Sequence, residues 1–362
     1  MKHLTAIILV ALISWSAQAQ PSLRTEHVIL ITLDGLRWQE LFTGADLSLI
    51  GDEDFVGEPD ILKHRFWDED AIIRRIRLMP FFWSVIAEEG RIYGNRTHGS
   101  LVNLTNNFWF SYPGYNEILT GFIDDRITSN DKIDNPNVTV LEYINGLPDF
   151  RNSVAAFASW DVFPYIINEQ RSGVPVNAGF RSAEGDLTDH ERFLNEIQPQ
   201  IPSPWTTVRF DAFTHHYAME YLEKYAPRLL YISYGETDDF AHDGKYDQYL
   251  NSAAQTDAFI NDIWTWVQSH APYRNATTLI ITTDHGRGTQ PKDAWKSHGT
   301  EINGSDQIWF AVIGPDTTPM GEIKTGGQYY QNQIARTVAA FLGVEFTGEG
   351  KAGEAIEQVI GK

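Results

Sequence analysis

Five short and mostly apolar segments recur along the chain, at residues 27–33, 153–159, 228–234, 277–283 and 308–313. Helical patterns, with apolar residues spaced three and four apart, lie at 212–225, 249–268 and 330–342. Apolar strands that alternate with helices are typical of a mainly parallel sheet covered by helices on both faces. The pattern therefore predicts an α/β fold whose ligands bind at the carboxyl ends of the strands.

The pattern also bears on domain organisation. No internal repeat, low-complexity stretch or Pro- or Ser-rich linker divides the sequence, so we predict a single domain over residues 20–362. One segment departs from the alternation of strands and helices. Residues 46–70 are acidic and aromatic and contain Gly51 and Gly57, which predicts a small irregular cap or insertion.

The first 19 residues have the features of an export signal. Lys2 precedes an apolar run at 4–15, and Ala17 and Ala19 form the small-x-small pattern of a signal peptidase site. The apolar run is shorter than the roughly 20 residues that a membrane span needs, and no later segment of the sequence predicts a span. We therefore expect cleavage after Ala19 and a periplasmic or secreted bacterial protein.

Composition narrows the classes of function. The chain has 28 Lys and Arg against 48 Asp and Glu, a formal net charge of −20, which argues against a surface for nucleic-acid phosphates. The sequence contains no cysteine, which excludes disulfides, thiolate zinc sites and a cysteine nucleophile. Any metal site must therefore be built from carboxylates, imidazoles and hydroxyls.

Acidic residues and histidines follow several of the predicted strands. Each motif alone has an ordinary explanation, since Asp-Gly is common in turns and Asp-x-x-x-His is common on helix surfaces. Together they supply three carboxylates and three imidazoles, a set suited to zinc or manganese. The six residues are Asp34, Asp238, His242, Asp284, His285 and His298.

A serine at the start of a predicted helix is the candidate nucleophile. Ser111 precedes Tyr112-Pro113-Gly114, which places its hydroxyl near a helix N-terminus, where backbone N–H groups favour an anion. Serine attacks only when its proton is removed; no His-Asp relay is evident, but a metal bound to Oγ would lower the pKa of the hydroxyl. The alternative is that Ser111 is simply the helix N-cap.

The order of these motifs along nearly the whole mature chain resembles the alkaline phosphatase superfamily, specifically its nucleotide pyrophosphatase/phosphodiesterase-like branch. The resemblance implies an alkaline phosphatase-like fold, with Ser111 as the nucleophile. It also implies two Zn²⁺ ions, with Mn²⁺ as the alternative metal. By this resemblance one ion is held by Asp34, Ser111, Asp284 and His285, and the other by Asp238, His242 and His298.

The resemblance also suggests a donor to a phosphoryl oxygen. Family members place an asparagine roughly twenty residues beyond the nucleophile. Asn130 lies at about that distance, and Asn107 and Asn116 are the rivals. The monoesterase branch uses an arginine near its serine, and Arg126 is the candidate here.

Two departures bear on the substrate. Pyrophosphatases usually continue Pro-Asn-His, where this chain has Pro113-Gly114-Tyr115, so a preference for nucleotides stays open. Sulfatases carry a Cys/Ser-x-Pro-x-Arg signature, and Tyr115 stands at its arginine position, which disfavours sulfatase activity.

The resemblance therefore implies an exported two-metal phosphohydrolase acting on small phosphate monoesters or diesters through a phosphoseryl intermediate. Two alternatives stay open. One is a phospho- or phosphoethanolamine transferase of the same fold. The other is a non-catalytic, metal-containing protein that binds phosphate or glycan.

Overall fold

The structure is a computed structural model that describes residues 23–361; the predicted leader at 1–19 lies outside the described residues. An eight-stranded sheet forms its centre, in the order β5-β4-β6-β1-β7-β8-β2-β9, and β10 pairs with β3 in a separate two-stranded sheet. The strands are β1 (His27–Leu33), β2 (Gly90–Tyr93), β3 (Ser100–Asn103), β4 (Val154–Ala158), β5 (Val176–Ala178), β6 (Leu229–Tyr234), β7 (Thr277–Thr282), β8 (Phe310–Ile313), β9 (Gly321–Glu322) and β10 (Gly327–Tyr330).

The five neighbouring strands from β5 to β7 are parallel, and β8 is antiparallel to both of its neighbours. All five predicted strand segments are strands of the central sheet. The prediction of a mainly parallel central sheet is therefore confirmed.

Helices cover both faces of the sheet, as predicted. They are α1 (Trp38–Thr43), α2 (Leu47–Ile50), α3 (Pro59–Phe66), α4 (Ala71–Leu78), α5 (Ala87–Glu89), α6 (Ser111–Thr120), α7 (Val140–Asn145), α8 (Phe163–Ile166), α9 (Glu169–Ser172), α10 (Asp189–Ile197), α11 (Asp211–Tyr225), α12 (Glu236–His242), α13 (Tyr246–Ser269) and α14 (Ile334–Phe341).

Alternation along β1 divides the core in two. Ile29 and Ile31 face a layer that contains α11 and α13, whereas Val28 and Leu30 face the layer formed by α6, α7 and α14. Successive side chains of a strand point to opposite faces, so one strand contributes to both layers. Because both faces are covered, the open place for a ligand is the carboxyl edge of the parallel strands.

The segment at 46–70 is more regular than the sequence predicts. It contains α2, whose N-cap Asp46 accepts a hydrogen bond from Ser48 N, and α3, which begins at Pro59. Several of its apolar side chains, including Phe55 and Phe66, are buried in the main core. These are ordinary helix-start signals that the acidic, glycine-containing composition obscures. Among residues 23–361, no helix combines the length and the apolar character needed to cross a membrane.

Candidate active site

The register of the central strands brings the predicted residues together. Thr32 in β1 pairs with Ser233 in β6 on one side and with Thr282 in β7 on the other. These three strands therefore end at the same edge of the sheet. The loops that follow them carry the acidic residues and histidines singled out from the sequence.

The first group consists of Asp34, Asp284 and His285, whose ligand atoms all lie within 4.8 Å of one another. His285 Nε2 is 3.4 Å from Asp34 Oδ1 and 3.5 Å from Asp284 Oδ2. All three side chains are buried. His285 Nδ1 lies 2.9 Å from the carbonyl oxygen of Gly286, so Nδ1 donates and Nε2 is left with a lone pair for a metal.

Two oxygens of this group lack partners. Asp34 Oδ1 and Asp284 Oδ2 are buried and have no hydrogen bond among the described residues. Burial of an unpaired carboxylate oxygen is costly unless a cation compensates it. The unpaired oxygens and the imidazole lone pair therefore fit a divalent metal ion.

The second group consists of Asp238, His242 and His298. His242 Nε2 is 2.9 Å from His298 Nε2 and 3.3 Å from Asp238 Oδ2. Two imidazole nitrogens close to each other and to a carboxylate also fit a metal ion. The His242 side chain is 46% exposed and that of His298 11%, so the site opens to solvent at His242.

His285 lies between the two groups. Asp238, His285 and His298 also present ligand atoms within 4.8 Å of one another, and the rings of His285 and His298 stack with centroids 4.0 Å apart. The six residues predicted from strand ends therefore form one continuous cluster. Which group each residue serves, and which metal it takes, stay predictions.

Burial dominates the electrostatics of the cluster. It raises the pKa of Asp34 well above the ordinary value, and the charge of Asp238 raises it further. Burial and the charge of Asp34 act in the same way on the pKa of Asp284. Burial lowers the pKa of His298, helped by His285. These pKa shifts arise because the carboxyl groups and imidazoles are buried close together without a compensating cation. Two divalent ions would supply the missing positive charge.

Arg287 is a site residue that sequence reasoning missed, because Gly286-Arg287-Gly288 indicates only a turn in the sequence. Its guanidinium is fully buried and donates to Asp238 Oδ1 and to the carbonyl oxygen of Lys296. Burial alone would raise the pKa of Asp238, but Arg287 and the nearby histidines outweigh it and hold that pKa well below the ordinary range. An arginine in the loop that follows Asp284-His285 was the available signal.

Ser111 is the first residue of α6 and is buried. Its Oγ lies 3.4 Å from His285 Nε2, so the candidate nucleophile points at the first group. The N-cap of α6 is Phe110, and its side chain makes no capping bond. The alternative of Ser111 as a simple N-cap is therefore wrong. A Cβ at Gly114 would lie 2.5 Å from the carbonyl oxygen of Asp284, so this glycine lets α6 approach the site.

Tyr115 is the second residue whose role the sequence did not reveal. It lies one helical turn beyond Ser111, and its hydroxyl donates to Asp34 Oδ2 at 2.8 Å. Ser233 Oγ in turn donates to the tyrosine hydroxyl at 3.2 Å. Tyr115 therefore holds one oxygen of Asp34 and leaves the other, Oδ1, directed at His285.

We expect Tyr115→Phe to weaken metal binding about 10- to 100-fold, as loss of a partner behind a metal ligand generally does. Titration with zinc and measurement of bound metal would check this. Tyr231→Phe is the matched control, because the hydroxyl of this buried tyrosine pairs with Thr32 Oγ1 instead of a carboxylate. Equal metal affinity in both variants would contradict the assigned role.

The three candidate asparagines have different surroundings in the structure. Asn130 accepts a hydrogen bond from Tyr112 N at 3.0 Å through Oδ1, directly beside Ser111. Asn116 is buried and donates to the carbonyl oxygen of Phe122, which makes it part of the structure of α6. Asn107 is exposed, and its carbonyl accepts from Thr300. Asn130 is therefore the asparagine held beside the candidate nucleophile.

Arg126 does not come to Ser111. Its guanidinium is exposed and donates to Asp124 and Asn137. Within residues 23–361, no lysine or arginine forms a hydrogen bond with the Ser111 hydroxyl. The cation expected for a monoesterase is therefore not supplied by Arg126 in this structure.

Comparison with known proteins identifies the family. The model of the sulfatase family matches residues 119–344, which is more than half of the chain. No curated protein matches the sequence significantly.

Solved structures show the alkaline phosphatase-like fold that the resemblance implies. The alkaline phosphatase PafA has a TM-score of 0.62 at 12% identity, covering 95% of this chain and 100% of its own. The phosphonate monoester hydrolase of Agrobacterium radiobacter has a TM-score of 0.55 at 13% identity, covering 92% and 77%. The lipoteichoic acid synthase LtaP from Listeria monocytogenes has a TM-score of 0.52 at 12% identity, covering 88% and 72%. The chain belongs to the sulfatase family and, with it, to the alkaline phosphatase superfamily, whose members are hydrolases or transferases of sulfate or phosphate esters.

Proposed function

We propose that the protein is a metal-dependent phosphoric ester hydrolase that cleaves phosphate monoesters or diesters through Ser111. The observation that carries the proposal is the position of Ser111 Oγ, 3.4 Å from His285 Nε2. His285 Nε2 is also 3.7 Å from Asp238 Oδ1, so the hydroxyl lies beside the residue that joins the two groups. Among residues 23–361, both sets of three potential metal ligands that lie within 4.8 Å of one another include His285.

The proposed ligand sets are those that the family resemblance implies, and the short distances within each group support them. Asp34, Ser111, Asp284 and His285 would hold one ion, and Asp238, His242 and His298 the other. Bound zinc, or manganese, supplies positive charge that lowers the pKa of a hydroxyl and stabilises charge on phosphoryl oxygens. This also explains how a protein of charge −20 attracts an anionic substrate.

The protein's own groups orient the substrate. Ser111 is at the N-terminus of the ten-residue helix α6, so backbone N–H groups and the helix dipole favour a phosphoryl group there. Attack by Ser111 Oγ forms a bond to phosphorus and releases the alcohol. Water then hydrolyses the phosphoserine, so two displacements give retention of configuration at phosphorus.

Asn130 is proposed as the donor to a phosphoryl oxygen, since its Oδ1 is held by Tyr112 N and Nδ2 can donate to substrate. We expect Asn130→Asp to lower kcat/KM about 10²-fold, because it keeps the acceptor for Tyr112 N and replaces the donor by an anion. Kinetics on a phosphodiester would check this. The control is Asn107→Asp, and equal effects of the two changes would contradict the role of Asn130.

Phosphate is favoured over sulfate despite the family name. Tyr115 stands where the sulfatase signature has arginine, and its hydroxyl is bound to Asp34. Phosphatase and phosphonate hydrolase structures among the neighbours support the same choice. The synthase among them keeps transfer of the phosphoryl group to an alcohol as the second candidate.

Hydrolysis assays test the proposal. Metal-stripped and zinc-reconstituted protein would be given p-nitrophenyl phosphate, bis-p-nitrophenyl phosphate and p-nitrophenyl sulfate, with and without an added alcohol. We expect zinc-dependent release of p-nitrophenol from a phosphate ester, and the faster of the two phosphates identifies the branch. Turnover of the sulfate alone, or of no ester by protein that holds two metals, would contradict the proposal.

Export is part of the proposed function, because the sequence of residues 1–19 predicts a cleaved signal. We expect the mature protein, isolated from a bacterial host, to begin at Gln20 and to act on small phosphate esters outside the cytoplasm. Mass determination of the protein from the periplasm and the medium checks this. An intact Met1 in a cytoplasmic fraction would contradict it.

A further inference from the structure

A buried carboxylate ties α6 to the loop that leads into it. Glu117 is fully buried in the middle of α6. Its Oε1 accepts from Thr105 N and Oγ1, both at 2.8 Å. Its Oε2 accepts from Asn106 N at 2.9 Å and from Asn106 Nδ2 at 2.7 Å. One side chain therefore holds both residues that begin the loop.

Asn106 extends this connection toward Ser111. Its Oδ1 accepts from Phe108 N and from Trp109 N, both at 3.0 Å. Trp109 has a φ of +54°, a left-handed conformation that large side chains rarely adopt and that costs free energy unless its surroundings impose it. The conformation that turns the chain two residues before Ser111 is thus imposed by Asn106, which Glu117 holds.

Burial of the Glu117 carboxylate between the loop and the helix has a free-energy cost. Burial raises its pKa, and the four hydrogen bonds from Thr105 and Asn106 act against that shift. Among residues 23–361, no lysine, arginine or histidine forms an ion pair with Glu117. An apolar contact would avoid the desolvation of the charge, but it would not fix the direction of the loop through four bonds.

We propose that Glu117 and Asn106 are positioning residues that set the direction of Ser111 Oγ toward His285 Nε2. They act through the backbone of Trp109 and Phe110 and do not touch the substrate. The inference rests on the proposed role of Ser111 as nucleophile. A displacement of about 1 Å in a reacting group can cost on the order of 10²-fold in rate. The hydrogen bonds that run from Glu117 through Asn106 to Trp109 N, the bracket, therefore affect catalysis more than binding.

Glu117→Gln tests the bracket with little change of shape. The glutamine Oε1 still accepts from Thr105, but its Nε2 now meets the two donors of Asn106. We expect kcat to fall about 10- to 100-fold, whereas KM and bound metal stay at the wild-type level. Asn106→Asp should act in the same direction, because it places an oxygen against Glu117 Oε2.

The double variant N106D/E117Q exchanges donor and acceptor. One oxygen of the carboxylate introduced at position 106 can still accept from Phe108 N and Trp109 N. The amide introduced at position 117 can donate to the other oxygen of that carboxylate. We expect the double variant to recover part of the kcat lost in E117Q, because the two side chains are again complementary. A double variant as slow as the product of the two single effects would overturn the proposal.

Asp257→Asn is the matched control. Asp257 is a buried carboxylate that accepts from Phe81 N and Phe82 N, both at 2.8 Å, away from the active site. The same change of carboxylate to amide there should leave kcat unchanged. If E117Q has the kcat of D257N while Ser111→Ala is inactive, the positioning role is wrong.

Two further results complete the test. An active Ser111→Ala would overturn the proposed nucleophile itself, so failure of the function and failure of the bracket are distinguishable. Should E117Q not fold, Thr105→Val removes only the hydroxyl that donates to Glu117. An unchanged kcat in that folded variant would overturn the proposal.

Discussion

Ser111→Ala is expected to lower kcat by at least about 10³-fold on any phosphate ester, because it removes the only group proposed to attack phosphorus. Bound metal should stay at the wild-type level, since the carboxylates and imidazoles of both groups remain. Steady-state kinetics and elemental analysis of the same preparations check the two statements. The effect should exceed that of any other single change at the site that leaves the metals bound.

Ser111→Thr is the matched control, because it keeps a hydroxyl at the first position of α6. We expect it to retain measurable turnover. After an acid quench during turnover, the wild-type peptide that contains Ser111 should carry a phosphoryl group, and the Ser111→Ala peptide should carry none. If the Ser111→Ala variant turned over substrate at the wild-type rate, Ser111 would be excluded as the nucleophile.

The main strands were predictable because they are buried on both faces. β1 has the predicted limits, and its seven residues are all buried, so the run is mostly apolar along its whole length. The five remaining strands, β2, β3, β5, β9 and β10, were not predicted. None has more than four residues, so none leaves an apolar run that can be distinguished from loop sequence.

The ligand cluster was predictable for a related reason. Each of its carboxylates and imidazoles follows a strand, and parallel strands end at one edge, so position along the chain implies position in space. The positions of the motifs along the chain predict which residues meet, but they do not predict the distances between the side chains. The residues form one cluster because β1 pairs with both β6 and β7, so the loops after these three strands are neighbours.

Tyr115, Arg287 and Glu117 could not be predicted in the same way. Each acts through a contact between elements that are distant in sequence or through a local loop: Tyr115 reaches Asp34 across 81 residues, and Glu117 binds a loop that precedes its own helix. In a helical pattern, a buried glutamate is indistinguishable from an exposed one. Their roles depend on packing that a single sequence does not specify.

Removal of the metal ions is expected to destabilise the protein more at pH 8 than at pH 5. Without cations, burial holds the pKa values of Asp34 and Asp284 well above the ordinary carboxyl value of about 4. The stability contributed by their protonated forms is fully present below the ordinary value. It is lost as the pH rises toward the folded-state pKa, because the unfolded chain has already released these protons.

The metal-loaded protein should behave in the opposite way. Its ligands bind metal in their deprotonated forms, so apparent metal affinity rises with pH. Zinc at about 10³ times its dissociation constant contributes about 4 kcal/mol to the free energy of unfolding. The difference in unfolding temperature between loaded and stripped protein should therefore grow from pH 5 to pH 8, as calorimetry with and without chelator would measure.

Asp284→Asn separates this effect from the general pH dependence of an acidic protein. Its amide cannot ionise, so the stripped variant should lose less stability between pH 5 and pH 8 than the stripped wild type. It should also gain less from added zinc, because one ligand is weakened. A loaded-minus-stripped difference that is the same at both pH values in the wild type would show that Asp34 and Asp284 do not exchange protons for metal, and the proposed first ligand set would then be wrong.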